Sequence, residues 1–159
     1  MDLDVVELAG RLAADAHARQ VDKAGRPYVE HLRRVAGYVD PSDSHAVAAA
    51  LLHDVLEDTS TTPAQLLEQH LPADVVETVQ LLTRKPQQQA ADYYREIRAH
   101  PLAREVKLAD LADNTDPDRL AQLPEALRLR LVRKYADAYE ALGAGLEDGR
   151  CRRARNASG

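Results

Sequence analysis

Apolar residues at Val5, Leu8, Ala9, Leu12, Ala13 and Ala16 recur three and four positions apart, which places one oily stripe along a first helix. Lys23-Ala24-Gly25-Arg26 reads as the loop that ends it. Pro27 suits the first turn of a second helix, where its missing N–H needs no partner, and Tyr28, Leu32, Val35, Ala36 and Val39 line that helix's buried face. Asp40-Pro41-Ser42-Asp43 then breaks the chain. From Ser44 onward, Ala46 to Leu52 is apolar almost all round, the mark of a helix buried on several sides at the centre of the fold. Thr62-Pro63-Ala64-Gln65 has the form of a capping box, and Pro72 opens a helix through Val75, Val76, Val79 and Leu82. Further helices are expected over residues 87–98, 101–113 and 125–142. Alternating strand patterns are absent. The expectation is an all-α, compact single-domain bundle of about seven or eight helices over residues 1–143. Residues 144–159 cluster Arg150, Arg152, Arg153 and Arg155 with no apolar rhythm to anchor them, and read as a disordered basic tail, with an anion-binding role as the alternative.

A chain of 159 residues is about the size of one domain, and 45% hydrophobic against 30% charged residues fits a soluble protein with a Leu, Val and Ala core. The net charge of −5 and a pI near 5.7 have the wrong sign for a broad nucleic-acid surface, so no nucleic-acid partner is expected. Cys151 is the only cysteine, which excludes a disulfide within the chain and a cysteine zinc cage. The stretch from Met1 to Ala18 has no continuous apolar run, so neither an export signal nor a membrane anchor is expected, and the cytoplasm is the expected compartment.

The chemistry concentrates at Leu51-Leu52-His53-Asp54-Val55-Leu56-Glu57-Asp58-Thr59, where four ionisable side chains follow the most apolar helix. On one continuous helix His53, Glu57, Asp54 and Asp58 fall at roughly 0°, 40°, 100° and 140°, a single sector that can meet one ligand. Carboxylates crowded in this way raise one another's pKa unless a cation offsets them, and a divalent metal is the simplest such partner. His31, one turn into the second helix, and Asp110, after the apolar run Val106-Lys107-Leu108-Ala109, are placed to contribute. His17, His45, His70 and His100 read as surface or hydrogen-bonded residues.

Four segments taken together carry a family resemblance. They are Ala16-His17-Ala18-Arg19-Gln20; Gly25-Arg26-Pro27-Tyr28-Val29-Glu30-His31; Ala50 through Thr59; and Lys107-Leu108-Ala109-Asp110 with Asn114. In this text the chain resembles the HD-domain metal-dependent phosphohydrolases, and within them the RelA/SpoT-type guanosine tetraphosphate hydrolases. The resemblance implies that His31, His53, Asp54 and Asp110 bind one divalent cation, normally Mn2+, with Fe2+, Co2+ or Mg2+ as alternatives. It implies that Glu57 and Asp58 orient and deprotonate the attacking water, and that Lys23, Tyr28 and Asn114 serve the substrate. Open nitrogen-and-oxygen ligation of this kind suits manganese or iron better than a closed structural zinc. Plainer roles stand beside these: Asp110 paired with Lys107, Asn114 as a helix cap, and Glu57 and Asp58 as solvated residues at a helix end.

The implied activity is 3′-pyrophosphate removal from guanosine tetraphosphate by a stand-alone hydrolase, on a small-molecule nucleotide and with no membrane partner. Two departures bear on the substrate. The family's Arg-Lys-Ser-Gly is replaced by Asp22-Lys23-Ala24-Gly25, and its Arg-Leu-His-Asn-Met-Arg after the metal Asp by Leu111-Ala112-Asp113-Asn114-Thr115-Asp116. Basic positions become acidic, so another HD-type nucleotide reaction such as a 5′-nucleotidase is the alternative, and a non-catalytic nucleotide sensor is the third reading. A homo-oligomer is considered because the last predicted helix has an oily face at Leu127, Leu131, Tyr135, Ala138 and Leu142, although burial in its own core explains the same pattern.

Overall fold

The computed structural model describes residues 4–158; Met1, Asp2 and Leu3, the start of the stretch read as lacking an export signal, and Gly159 of the tail lie outside them. The described residues form eleven helical segments: α1 (Val5–Ala16), α2 (Tyr28–Gly37), α3 (Ser44–Leu52), α4 (Val55–Asp58), α5 (Pro63–Glu68), α6 (Ala73–Leu82), α7 (Ala90–Ala99), α8 (Pro101–Asn114), α9 (Pro117–Leu120), α10 (Glu125–Ala141) and α11 (Leu146–Ser158). Among the described residues the only extended pairing is an isolated bridge between Val21 and Pro27, so the all-α expectation holds. No helix among them is long and apolar enough to cross a membrane.

Apolar patterning and caps explain the core. In α3, Ala46, Ala48, Ala49, Ala50, Leu51 and Leu52 are buried, and small side chains let α1, α2, α6 and α8 close in around it. Asp43 caps α3 by accepting from the Ala46 N–H. The predicted capping box is present in full: the Thr62 hydroxyl accepts from the Gln65 N–H, and the Gln65 side chain accepts from the Thr62 N–H. Thr62→Ala is expected to lower stability by about 1 kcal/mol, seen as a lower denaturation midpoint at unchanged slope. The second long buried helix, α8, is opened by Pro101 at its first turn and by the His100 ring accepting from the Ala103 N–H. It buries Val106, Leu108, Leu111 and three alanines, and with them two acids, Asp110 and Asp113.

Three expectations are corrected. The helix count rises from seven or eight to eleven because α4, α9 and α11 are separate segments. The run from His53 to Asp58 does not share one helix with Leu52: His53 ends α3, Asp54 has φ −104° and ψ 1°, and α4 begins at Val55. The basic tail is ordered as α11 against α8 rather than disordered. Polar clamps hold it in place of an apolar stripe. Arg152 is buried and bonds Glu105 at 2.8 and 3.0 Å, Asp148 at 2.8 Å and the Tyr38 carbonyl at 3.0 Å, while Arg153 donates to the Ala112 carbonyl at 2.6 Å. Gly149 lets α11 sit against the Tyr139 hydroxyl, where a Cβ would collide. The oily face of α10 is used inside the molecule: Leu131, Ala138 and Leu142 are buried.

Candidate functional site

Three buried stretches bring the predicted cation-binding residues together. α2 carries His31, the break between α3 and α4 carries His53 and Asp54, and α8 carries Asp110. The Nε2 of His31 lies 3.1 Å from Asp110 Oδ1 and 3.9 Å from Asp54 Oδ2; the Nε2 of His53 lies 3.4 and 3.1 Å from the same two atoms. His31, His53 and Asp54 meet the geometry of a metal-binding group among the described residues, each offering one ligand atom within 4.8 Å of the others.

The two imidazoles are oriented by what their other nitrogens touch. His53 Nδ1 lies 2.6 Å from the Ala50 carbonyl, which can only accept, so Nδ1 is a donor and Nε2 is the nitrogen turned toward the carboxylates. His31 Nδ1 lies 2.6 Å from Asp113 Oδ2, with the same consequence. His53 Nε2 is buried and has no hydrogen-bond partner, an orphan that a cation would satisfy. Two imidazole nitrogens beside carboxylate oxygens form the mixed donor set of a divalent ion with positions left for water and substrate. The residues present therefore fit the metal that the sequence implies.

Electrostatics agree with a site built for a cation. Burial alone would lower both imidazoles, but Asp110 and Asp113 at His31, and Asp54 and Asp110 at His53, outweigh it and hold the rings above their usual range. Burial alone would raise Asp110, but Lys107 and the two imidazoles hold it well below the usual carboxylate range; at Asp54, His53 chiefly reverses the sign in the same way. The Asp110 carboxylate takes 3.1 Å bonds from Lys107 Nζ and Asn114 Nδ2, and the Tyr28 hydroxyl donates to Asp54. Glu57 is exposed at the rim of the cavity, and partial burial there, then the Asp54 charge, raises its carboxyl. Asp58 accepts a 3.0 Å bond from Gln20 Nε2, and Gln20 Oε1 of the same amide lies 2.7 Å from His17 Nδ1.

This cluster lies on a cavity of about 660 Å³. Seven cations line it (Lys23, Arg26, Arg34, Arg84, Lys107, Arg119 and Lys134) against six acids: Asp22, Asp54, Glu57, Asp58, Asp110 and Asp116. Tyr93, Tyr94, Tyr135, Leu120, Leu123 and Leu131 supply its apolar wall. Lys23, Tyr28 and Asn114 all border it, although Asn114 and Tyr28 spend hydrogen bonds on Asp110 and Asp54. Asn114 is the last residue of α8, and the cap that follows is Thr115. Sequence reasoning missed Arg34, Arg84, Arg119 and Lys134, which sit on separate helices and loops with no local signal. It also missed that Asp22, read as an acid facing the substrate, lies 3.4 Å from the Arg119 guanidinium.

A sequence profile of the HD domain matches residues 9–112, and this span contains every residue of the cluster from His31 to Asp110. The chain belongs to the HD-domain family. Over 138 residues, covering 80% of the chain, this HD domain is 34% identical to the guanosine-3′,5′-bis(diphosphate) 3′-pyrophosphohydrolase of Haemophilus influenzae. It is 34% identical over 142 residues, 82% of the chain, to the bifunctional (p)ppGpp synthase/hydrolase SpoT of Escherichia coli. The HD domain spans 20% of the length of each of these relatives. Among solved structures it resembles a metazoan orthologue of SpoT described as hydrolysing ppGpp, with a TM-score of 0.75 and 22% identity over 98% of this chain and 95% of the other.

Proposed function

We propose that this HD domain is a cytoplasmic, metal-dependent nucleotide phosphohydrolase that removes the 3′-pyrophosphate of guanosine tetraphosphate. The observation that carries it is the convergence of two imidazole Nε2 atoms and two carboxylates on a cavity lined by seven cations. Likeness to relatives named for this reaction supports the same reading.

His31, His53, Asp54 and Asp110 would hold the divalent cation, manganese in the first instance, with iron, cobalt and magnesium compatible with the same donors. When bound, the cation supplies Lewis acidity toward water and phosphoryl oxygens. The remaining work falls to side chains of the cavity. Glu57 and Asp58 orient a water and accept its proton as its oxygen attacks phosphorus and the bond to the ribose 3′-oxygen breaks. The raised carboxyl of Glu57 suits it to take up that proton. Gln20, itself held by His17, fixes Asp58 by donating to it. Lys23, Arg84 and Lys134 border the cavity as counter-charges for phosphates, which offsets the acids at positions 22 and 116. Tyr28 keeps Asp54 turned toward the imidazoles.

A nucleotide panel with Mn2+ and with chelator, followed by chromatography of products, tests this. Pyrophosphate release from guanosine tetraphosphate, lost with chelator, is the expected result. Asp22 and Asp116 on the cavity wall favour a less charged substrate as the second reading, and phosphate release from 5′-mononucleotides alone would establish that reading instead. Tight nucleotide binding without turnover would leave only the sensor.

A further inference from the structure

Asp113 has no exposed surface and sits behind His31, away from the cavity. Its Oδ2 lies 2.6 Å from His31 Nδ1 and 2.8 Å from Arg119 Nη1, and its Oδ1 lies 2.7 Å from Arg34 Nε. A fully buried carboxylate is costly unless cations and N–H donors surround it, and here two guanidinium groups and an imidazole do so. Arg119 continues the chain of contacts, donating to Asn114 Oδ1 at 3.2 Å and lying 3.4 Å from Asp22 Oδ2. Asp22, which stands where the resembled family has Arg, and Asp113 are thus halves of one unit with Arg119 between them.

Holding α2 and α8 together does not require this unit. Leu32 and Val35 of α2 and Leu108, Leu111 and Ala112 of α8 are already buried, and an apolar residue at position 113 would fill the space without a buried charge. What the carboxylate adds is specific to His31. An acceptor without protons keeps a hydrogen on Nδ1 and turns Nε2, the nitrogen left to bind a cation, toward Asp54 and Asp110. A negative partner also makes the ring a stronger donor than the neutral Ala50 carbonyl makes His53.

We infer that Asp113 is a positioning residue for cation binding, fixing the orientation and tautomer of His31 while Arg34 and Arg119 hold Asp113 itself in place. This rests on the proposed reading of His31 as a cation ligand. Asp113→Asn keeps the shape, and the guanidinium groups it leaves behind reach solvent at 33% and 25% exposure, so the fold is expected to survive.

The test is calorimetric titration of the full chain with Mn2+ for wild type, Asp113→Asn and, as a control on stability alone, Glu105→Gln. The expected result is an affinity about 10- to 100-fold weaker in Asp113→Asn at native circular dichroism, and unchanged affinity in Glu105→Gln. Equal affinity in wild type and Asp113→Asn overturns the inference and leaves the metal site standing. Absence of Mn2+ binding in wild type overturns the site reading and the inference with it. Should Asp113→Asn fail to fold, nitrogen NMR of the Zn2+-loaded wild type decides: His31 bound through Nε2 with its proton kept on Nδ1 supports the inference, and binding through Nδ1 overturns it.

Discussion

Replacing His53 or Asp54 by Ala is expected to abolish Mn2+ binding and turnover together, whereas Glu57→Gln keeps Mn2+ binding and lowers only kcat, by about 10²- to 10⁴-fold. The division follows from where the groups sit. His53 and Asp54 face the point that His31 and Asp110 also face, with Nε2 and Oδ2 atoms 3.1 Å apart, so removing either takes a donor from the cation. His53→Ala also deletes the group that occupies the Ala50 carbonyl. Glu57 lies one turn further on, in α4, and contacts the cavity rather than the imidazoles. Gln has the shape of Glu but cannot accept the water's proton. Mn2+ titration and steady-state kinetics on the three variants separate the roles. Equal loss of metal in all three would place Glu57 among the ligands and remove it as the proton acceptor.

Part of this site was legible in the sequence because its chemistry is dense and local, with four ionisable groups in six positions after an apolar helix, whereas His31 and Asp110 joined it through the family resemblance. The arrangement of these residues was not. The apolar rhythm continues through Val55 and Leu56, so nothing in the pattern marks the break at Asp54. The break is tied to a side chain: the His53 ring donates to the Ala50 carbonyl, the acceptor that a continuing helix would give to the Asp54 N–H. The network behind His31 was invisible for a different reason. Asp22 and Arg119 are 97 positions apart, Arg34 and Asp113 are 79 apart, and ion pairs leave no periodicity. The same limitation hid α11, whose order comes from Arg152 and Arg153 rather than from an apolar face. Helices anchored by stripes and caps, such as α1, α5, α6 and α8, were read correctly because those signals are contained within the element.

Arg152→Ala is expected to cost about 2 to 3 kcal/mol and to free α11 for proteolysis. Arg152 is 6% exposed and ties three elements: Glu105 on α8, Asp148 on α11 itself and the carbonyl of Tyr38 that closes α2. Removing it leaves the Glu105 carboxylate without its main partner, but Glu105 is 34% exposed and regains water, which keeps the cost below that of a fully buried pair. The pH dependence has a definite sign. The Arg152 hydrogen bonds, outweighing partial burial and helped by the Arg152 and Arg155 charges, hold Glu105 below its usual value near 4.5. A depressed carboxyl gives stability that is complete above 4.5 and is lost as pH falls through the folded-state value. Urea denaturation at pH 7 and at steps below 4.5 should therefore show a loss in wild type that is smaller in Glu105→Gln, whose side chain no longer titrates. Parallel curves for the two proteins would mean that the clamp positions α11 without stabilising it. Because α11 packs on α8, and Arg153 bonds the Ala112 carbonyl one residue before Asp113, loosening α11 by Arg152→Ala is also expected to weaken Mn2+ binding modestly. Glu105→Gln retains Arg152 and its bonds to Asp148 and Tyr38, so α11 stays docked and the metal affinity stays as in wild type.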